Sequence, residues 1–231
     1  MSERTHYFNR SLQQETNSLW FFDALFLDVP FEDVRGDKAF QALGSDYRFL
    51  REGQEPVLVE AKFEDYASGN MSLEGISVDR PTVKPGWMAT SRAAWLVSFM
   101  KPSGDVVAVP LAALRAWYFQ NYARFRVTAV NNYDPRTRKP RYTTYTTLAP
   151  IRVVLDEVPG AMRLDMREVD NTLRFAQPSM FSRDSRYLAT TPAELLDQIM
   201  AGQPHSEPEF IQNAAEWLNE LQILSVKRKA A

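Results

Sequence analysis

Asp46, Glu60 and Lys62 are the residues whose types and spacing could do chemistry together in this 231-residue chain. On an extended strand, residues two apart project to the same side and stand roughly 6.6 Å apart. Glu60 and Lys62 would then point together, while Ala61 faces the opposite layer. Two carboxylates brought to one place repel, and a divalent cation relieves the repulsion; oxygen-only ligation favours magnesium or manganese. A lysine beside such a site can orient a water or stabilise charge developing on a phosphate. The same Glu-x-Lys pair could equally be an ion pair on a wet sheet edge, which contributes little.

The surrounding elements must deliver Asp46. Residues 37–43 predict a short helix, with Asp37 as N-cap and Gly44 as its stop. Residues 47–51 and 56–63 predict a hairpin around Glu52-Gly53-Gln54, which lays Asp46 across from Glu60-Ala61-Lys62. Upstream, Leu12, Leu19, Phe22 and Phe26 give a helix within 11–27, closed by Pro30. Downstream come a third strand over 71–76 and a hairpin of 94–100 with 106–109. A helix opens at Pro110, strands follow at 125–130 and 142–148, and Pro150 opens a short helix. Past Gly160 the alternation fades, and 192–200 (N-cap Thr191) and 207–224 read as helices. The expected fold is α/β, a mixed central sheet flanked by helices over 1–160, followed by a mainly helical C-terminal extension over 161–231.

The spacing D-x13-E-x-K, entered through a helix and glycine (37–46) and an apolar strand (57–62), resembles the PD-(D/E)XK nuclease superfamily. Gly69-Asn70-Met71-Ser72-Leu73-Glu74, Lys84-Pro85-Gly86-Trp87-Met88 and Thr90-Ser91 further resemble a mostly phage-encoded group with Holliday-junction-resolvase-like cores. The resemblance covers about residues 32 to 157, with 143–151 similar to that group's closing strand and helix; the chain after 160 matches nothing in it. It implies a restriction-endonuclease-like fold and Mg2+- or Mn2+-dependent hydrolysis of DNA phosphodiesters. Asp46 and Glu60 would hold the metal, the Ala61 carbonyl would add a ligand, and Lys62 would serve the attacking water. It also implies a phage or mobile-element source, hence host cytoplasm, and a possible homodimer. An additional acid would come from Glu15, Glu32 or Asp37 on a preceding element, Asp37 being preferred, although an N-cap explains that residue as well. Glu74 would join the site if its strand pairs beside Glu60. The competing class is a catalytically silent protein of the same fold that binds DNA or a host protein. Hydrolysis of RNA stays open.

Composition sets the outer limits. Apolar residues make up 45% and charged residues 24%, as in ordinary folded domains. The absence of cysteine excludes disulfides, thiol catalysis, iron–sulfur clusters and cysteine-bearing zinc sites. With only His6 and His205, three-histidine metal sites cannot be built in one chain. No P-loop or dinucleotide-binding glycine motif occurs. The longest apolar block, 19–29, is interrupted by Asp23 and Asp28, and no secretory signal opens the chain, so a cytoplasmic protein without membrane spans is expected. The net charge of -2 hides a split: residues 1–80 carry 15 acids against 8 Lys or Arg, and the remainder 14 against 19. The basic run Arg136, Arg138, Lys139 and Arg141, with Tyr133 and Tyr142 beside it, reads as either a phosphate-binding hairpin loop or a solvated turn.

Overall fold

The computed structural model describes residues 19–26, 29–65, 68–134, 136–182, 186–201 and 214–227. Helix α1 is Leu19–Leu25, β1 Phe31–Asp33, α2 Lys38–Ala42, β2 Tyr47–Phe49, β3 Val57–Glu64, β4 Asn70–Val78 and β5 Lys84–Pro85. These are followed by α3 Trp87–Thr90, β6 Trp95–Met100, β7 Asp105–Pro110, α4 Leu111–Asn121, β8 Arg126–Tyr133 and β9 Pro140–Pro150. The chain continues with α5 Ile151–Glu157, β10 Met162–Asp165, α6 Met166–Val169, α7 Pro192–Ala201 and α8 Ala214–Lys227. The architecture is α/β, as expected, with a mixed sheet flanked by helices and helices at the C-terminal end. Most of the expected helix over 11–27 and the start of the one over 207–224 fall outside the described residues.

The strands divide into two sheets where the sequence suggested one. A six-stranded sheet runs β1-β2-β3-β6-β7-β10, and a four-stranded sheet runs β5-β4-β9-β8. In the larger, β3 and β6 are parallel, with Glu60 beside Leu96 and Lys62 beside Ser98, and the other pairings are antiparallel. β3 thus sits between β2 and β6, and β4, the strand of Glu74, leaves for the second sheet, where it pairs β9 and β5. Parallel neighbours require a long crossover, which here is β4, β5 and α3. Strands β1 and β10 escaped the sequence reading because they are short edges, three and four residues long.

Alternation along β3 sets its two faces. Val57, Val59 and Ala61 join Phe21, Phe22 and Leu25 of α1 and Leu195 and Ile199 of α7 in one core. Phe22 stacks on Tyr47 at 3.9 Å between ring centroids. Leu58, Leu96 and Val109, on the opposite face, share a second core with Met71, Leu73 and Ile76 of β4, Tyr118 of α4 and Leu221 of α8. The chain beyond 160 contributes β10 to the larger sheet and helices to both cores. Among the described residues no helix is long and apolar enough to cross a membrane.

Candidate functional site

Asp46 sits where β2 begins, held by its backbone to both neighbouring strands. Its N–H donates to the Val59 carbonyl at 3.0 Å, and its carbonyl accepts from Val34 N–H at 2.9 Å. Its carboxylate crosses to β3, where Oδ2 accepts the Ala61 N–H at 2.9 Å. Beyond the end of β2 the ladder has no backbone acceptor for that N–H, and the aspartate takes the place of one. Asp46 is therefore seated against the peptide lying between Glu60 and Lys62.

Glu60 and Lys62 project from the same face of β3 and form an ion pair. The glutamate is 5% exposed, so it is desolvated, whereas about a third of the lysine side chain (32%) stays in water. Glu64 continues the same alternation and accepts a hydrogen bond from Ser72 on β4. Glu74 lies on β4, which does not pair beside β3, yet it still arrives near Lys62. β4 shifts register between Glu74 and Ile76. One extra residue reverses the alternation beyond it, so Ile76 enters the core while Glu74 keeps the side of Ser72. The residue at the shift is Gly75, where a Cβ would lie 2.8 Å from the Tyr118 hydroxyl and 2.9 Å from a Leu221 methyl.

Burial raises the carboxyls of Glu64 and Glu74 above the usual glutamate range, and the Lys62 ammonium opposes that rise in both. Glu74 also accepts hydrogen bonds from Ser77 and from the Trp87 N–H that opens α3. The Trp87 ring lies under the Lys62 ammonium, 5.6 Å from the ring centroid. Helix α3 is braced from behind by Arg115 of α4, which is 3% exposed. Its Nε donates to the Met88 carbonyl at 2.7 Å, and a second nitrogen donates to the Ser91 carbonyl. The assembled cluster is Glu60, Lys62, Glu64 and Glu74 with an indole, beside the fixed Asp46.

Of the other candidates, Asp37 caps α2: Oδ1 accepts the Ala39 N–H at 2.8 Å, and the residue is exposed. Glu32 pairs with Arg48 across the β1–β2 ladder, and Glu15 lies outside the described residues. Neither Asp37 nor Glu32 joins the cluster. Arg136, Arg138, Lys139 and Arg141 are exposed at the tip of the β8–β9 hairpin. Glu64, Ser72 and Arg115 were missed. The run Glu60-x-Lys62-x-Glu64 carries a signal for the first, since period-two spacing puts all three on one face. Arg115 reads as the wet side of an amphipathic helix, and no local pattern marks it as buried.

The donor set suits a hard cation in part. Asp46, Glu60 and the Ala61 carbonyl offer only oxygen, and magnesium is commonly held by one or two carboxylates while keeping several waters. Among the described residues no three His, Cys, Asp or Glu side chains stand together as a ready metal cluster. Comparison with family models, curated proteins and solved structures gave no match.

Proposed function

We propose that the chain is a metal-dependent nuclease with a restriction-endonuclease-like core that hydrolyses phosphodiester bonds in DNA. The observation that carries this reading is the Asp46 carboxylate fixed on the N–H of Ala61, the residue that separates Glu60 from Lys62 along β3, where those two side chains form an ion pair. Asp46, Glu60 and the Ala61 carbonyl would hold Mg2+ or Mn2+, which when bound supplies Lewis acidity toward a phosphate oxygen and acidifies water. The Lys62 ammonium, held over Trp87, would orient the water and face the charge that builds on the phosphate oxygens. The ester oxygen, its bond to phosphorus broken, takes a proton from solvent water; as the attacking water oxygen bonds to phosphorus, the attacking water gives up a proton. Glu74, whose basicity is raised by burial, is a stronger acceptor for that proton than an ordinary carboxylate.

A second reading, a non-catalytic protein of the same fold that binds DNA or a host protein, is favoured by one feature. Glu60 and Lys62 already neutralise each other, and a pair so matched needs no metal. Calorimetric titration with Mg2+ and Mn2+ of the wild type, Asp46→Asn and Glu60→Gln separates the two, together with incubation of supercoiled, linear and branched DNA and of RNA. The nuclease reading expects metal-dependent cleavage that falls at least about 100-fold in either variant, the scale of losing a transition-state electrostatic contact. Identical metal binding in all three proteins, or DNA left intact by a metal-loaded wild type, overturns it.

A further inference from the structure

The β8–β9 hairpin is longer than its sheet. Pairing of β9 with β4 ends at Tyr145, and the last contacts beyond it are Thr144 Oγ1 to the Ser77 carbonyl at 3.0 Å and Thr143 N–H to Asp79 Oδ1 at 2.7 Å. From Asn132 and Tyr142 outward, the two strands pair with each other and, among the described residues, with no further strand. Its paired ends are Asn132 and Tyr133 against Tyr142 and Pro140, with a register shift between the two pairs, and reach roughly 7 Å along β9 before the turn. Residues 126–142 carry five Lys or Arg and one acid. That acid, Asp134, is engaged by the turn: Oδ1 accepts the N–H groups of Arg136 and Thr137 at 3.0 and 2.8 Å, and Arg141 is near enough to favour its charge. Its carboxylate therefore builds the turn, while Arg136, Arg138, Lys139 and Arg141 stay exposed.

The register links this tip to the candidate site. Glu74 pairs with Thr146, Thr146 with Thr128, Thr144 with Val130 and Tyr142 with Asn132, and cross-strand partners share a face. One half-exposed, threonine-rich surface thus runs from Glu74 to the ribbon, and Val130 on it is 49% exposed. Thr146 to Tyr142 spans about 13 Å at strand rise.

We infer that the β8–β9 ribbon is a grip for double-stranded nucleic acid, entering a groove with its cations on the flanking phosphates. A major groove about 12 Å wide and 8.5 Å deep admits a two-stranded ribbon, and the projecting pairs with the turn beyond them are of that order of length. The grip stands apart from hydrolysis; only the further statement that the sheet face leads the bound duplex toward Lys62 rests on the nuclease reading. Four phosphate contacts give a log-log salt slope of about -3.6, so affinity falls about 150-fold between 50 and 200 mM salt.

The test is fluorescence anisotropy with a labelled 20-base-pair duplex and the matching single strand, in EDTA to suppress cleavage. The proteins are the wild type, Glu60→Gln, and the triple variant Arg138→Asn, Lys139→Gln, Arg141→Gln. Asparagine is chosen at 138 because φ there is 57°, a region asparagine tolerates. Circular dichroism and urea melting verify that the triple variant is folded. Wild type and Glu60→Gln should bind the duplex at least 10-fold more tightly than the single strand, and the triple variant should lose about three quarters of the salt slope. Equal or tighter binding of the single strand, or an unchanged slope in the folded triple variant, overturns the grip. Tip-dependent duplex binding by a protein that never cleaves supports the grip and refutes the hydrolytic reading alone.

Discussion

Replacing Lys62 with methionine removes the cation that opposes the buried charge of Glu64 and Glu74 and ion-pairs Glu60. Breaking a fully buried pair costs about 3–5 kcal/mol, and breaking an exposed one under about 1 kcal/mol. The side chains of Lys62 and Glu60 are 32% and 6% exposed, so the pair lies between these limits, and a loss of about 2 kcal/mol is expected at neutral pH. With a urea m-value of about 2.5 kcal/mol/M for a chain of this size, the midpoint should fall by about 0.8 M. The pH dependence identifies the cause. Glu64 and Glu74 are raised in the folded state, so their contribution is fully present below the ordinary glutamate range and is lost as pH rises through the folded value. Without Lys62 both rise further, and more stability is lost on the way to neutrality. The gap between wild type and Lys62→Met should therefore be smaller near pH 4 than at pH 8, with Glu60→Gln added to the variant recovering part of it. Urea melts at both pH values measure this. An equal loss at both ends would show that Lys62 acts through packing of its stem, and the electrostatic account of the site would fall.

Two further outcomes follow from the packing around the site and beneath the C-terminal segment. Arg163→Met strips a guanidinium that lies 3.2 Å from both Asp105 and Asp165 and 2.9 Å from Ser179; with Asp105 fully buried, the loss should be about 3–5 kcal/mol by chemical denaturation, partly restored by adding Asp105→Asn. Gly86→Ala would drive a Cβ into the Glu74 backbone and to 2.8 Å from its Cγ, so a loss of about 1–3 kcal/mol is expected, and a variant as stable as wild type in the same melt would mean that Glu74 is free to move.

Local chemistry in the sequence was enough for several parts of this molecule. Asp37 two residues before Ala39 makes a cap whatever lies around it. Thr191 and Glu194 form a reciprocal box ahead of α7, with Thr191 N–H on Glu194 Oε2 at 2.8 Å and Glu194 N–H on Thr191 Oγ1 at 3.2 Å. Pro110 and Pro150 open helices, and alternation over 57–64 puts Glu60, Lys62 and Glu64 on one face. These follow from backbone preference and period-two geometry, which act within a few residues. Tertiary structure decided which strands became neighbours: β6 took the place beside β3 and sent Glu74 to a second sheet, where it still approaches Lys62, and the shift at Gly75 turned Ile76 into the core. It also buried Asp105, which a turn-like sequence presents as solvated, and Arg115, which looks like a surface residue. Periodicity states which side of an element is apolar; only packing across the whole chain chooses what covers that side, and with it which charges meet in the dry space between.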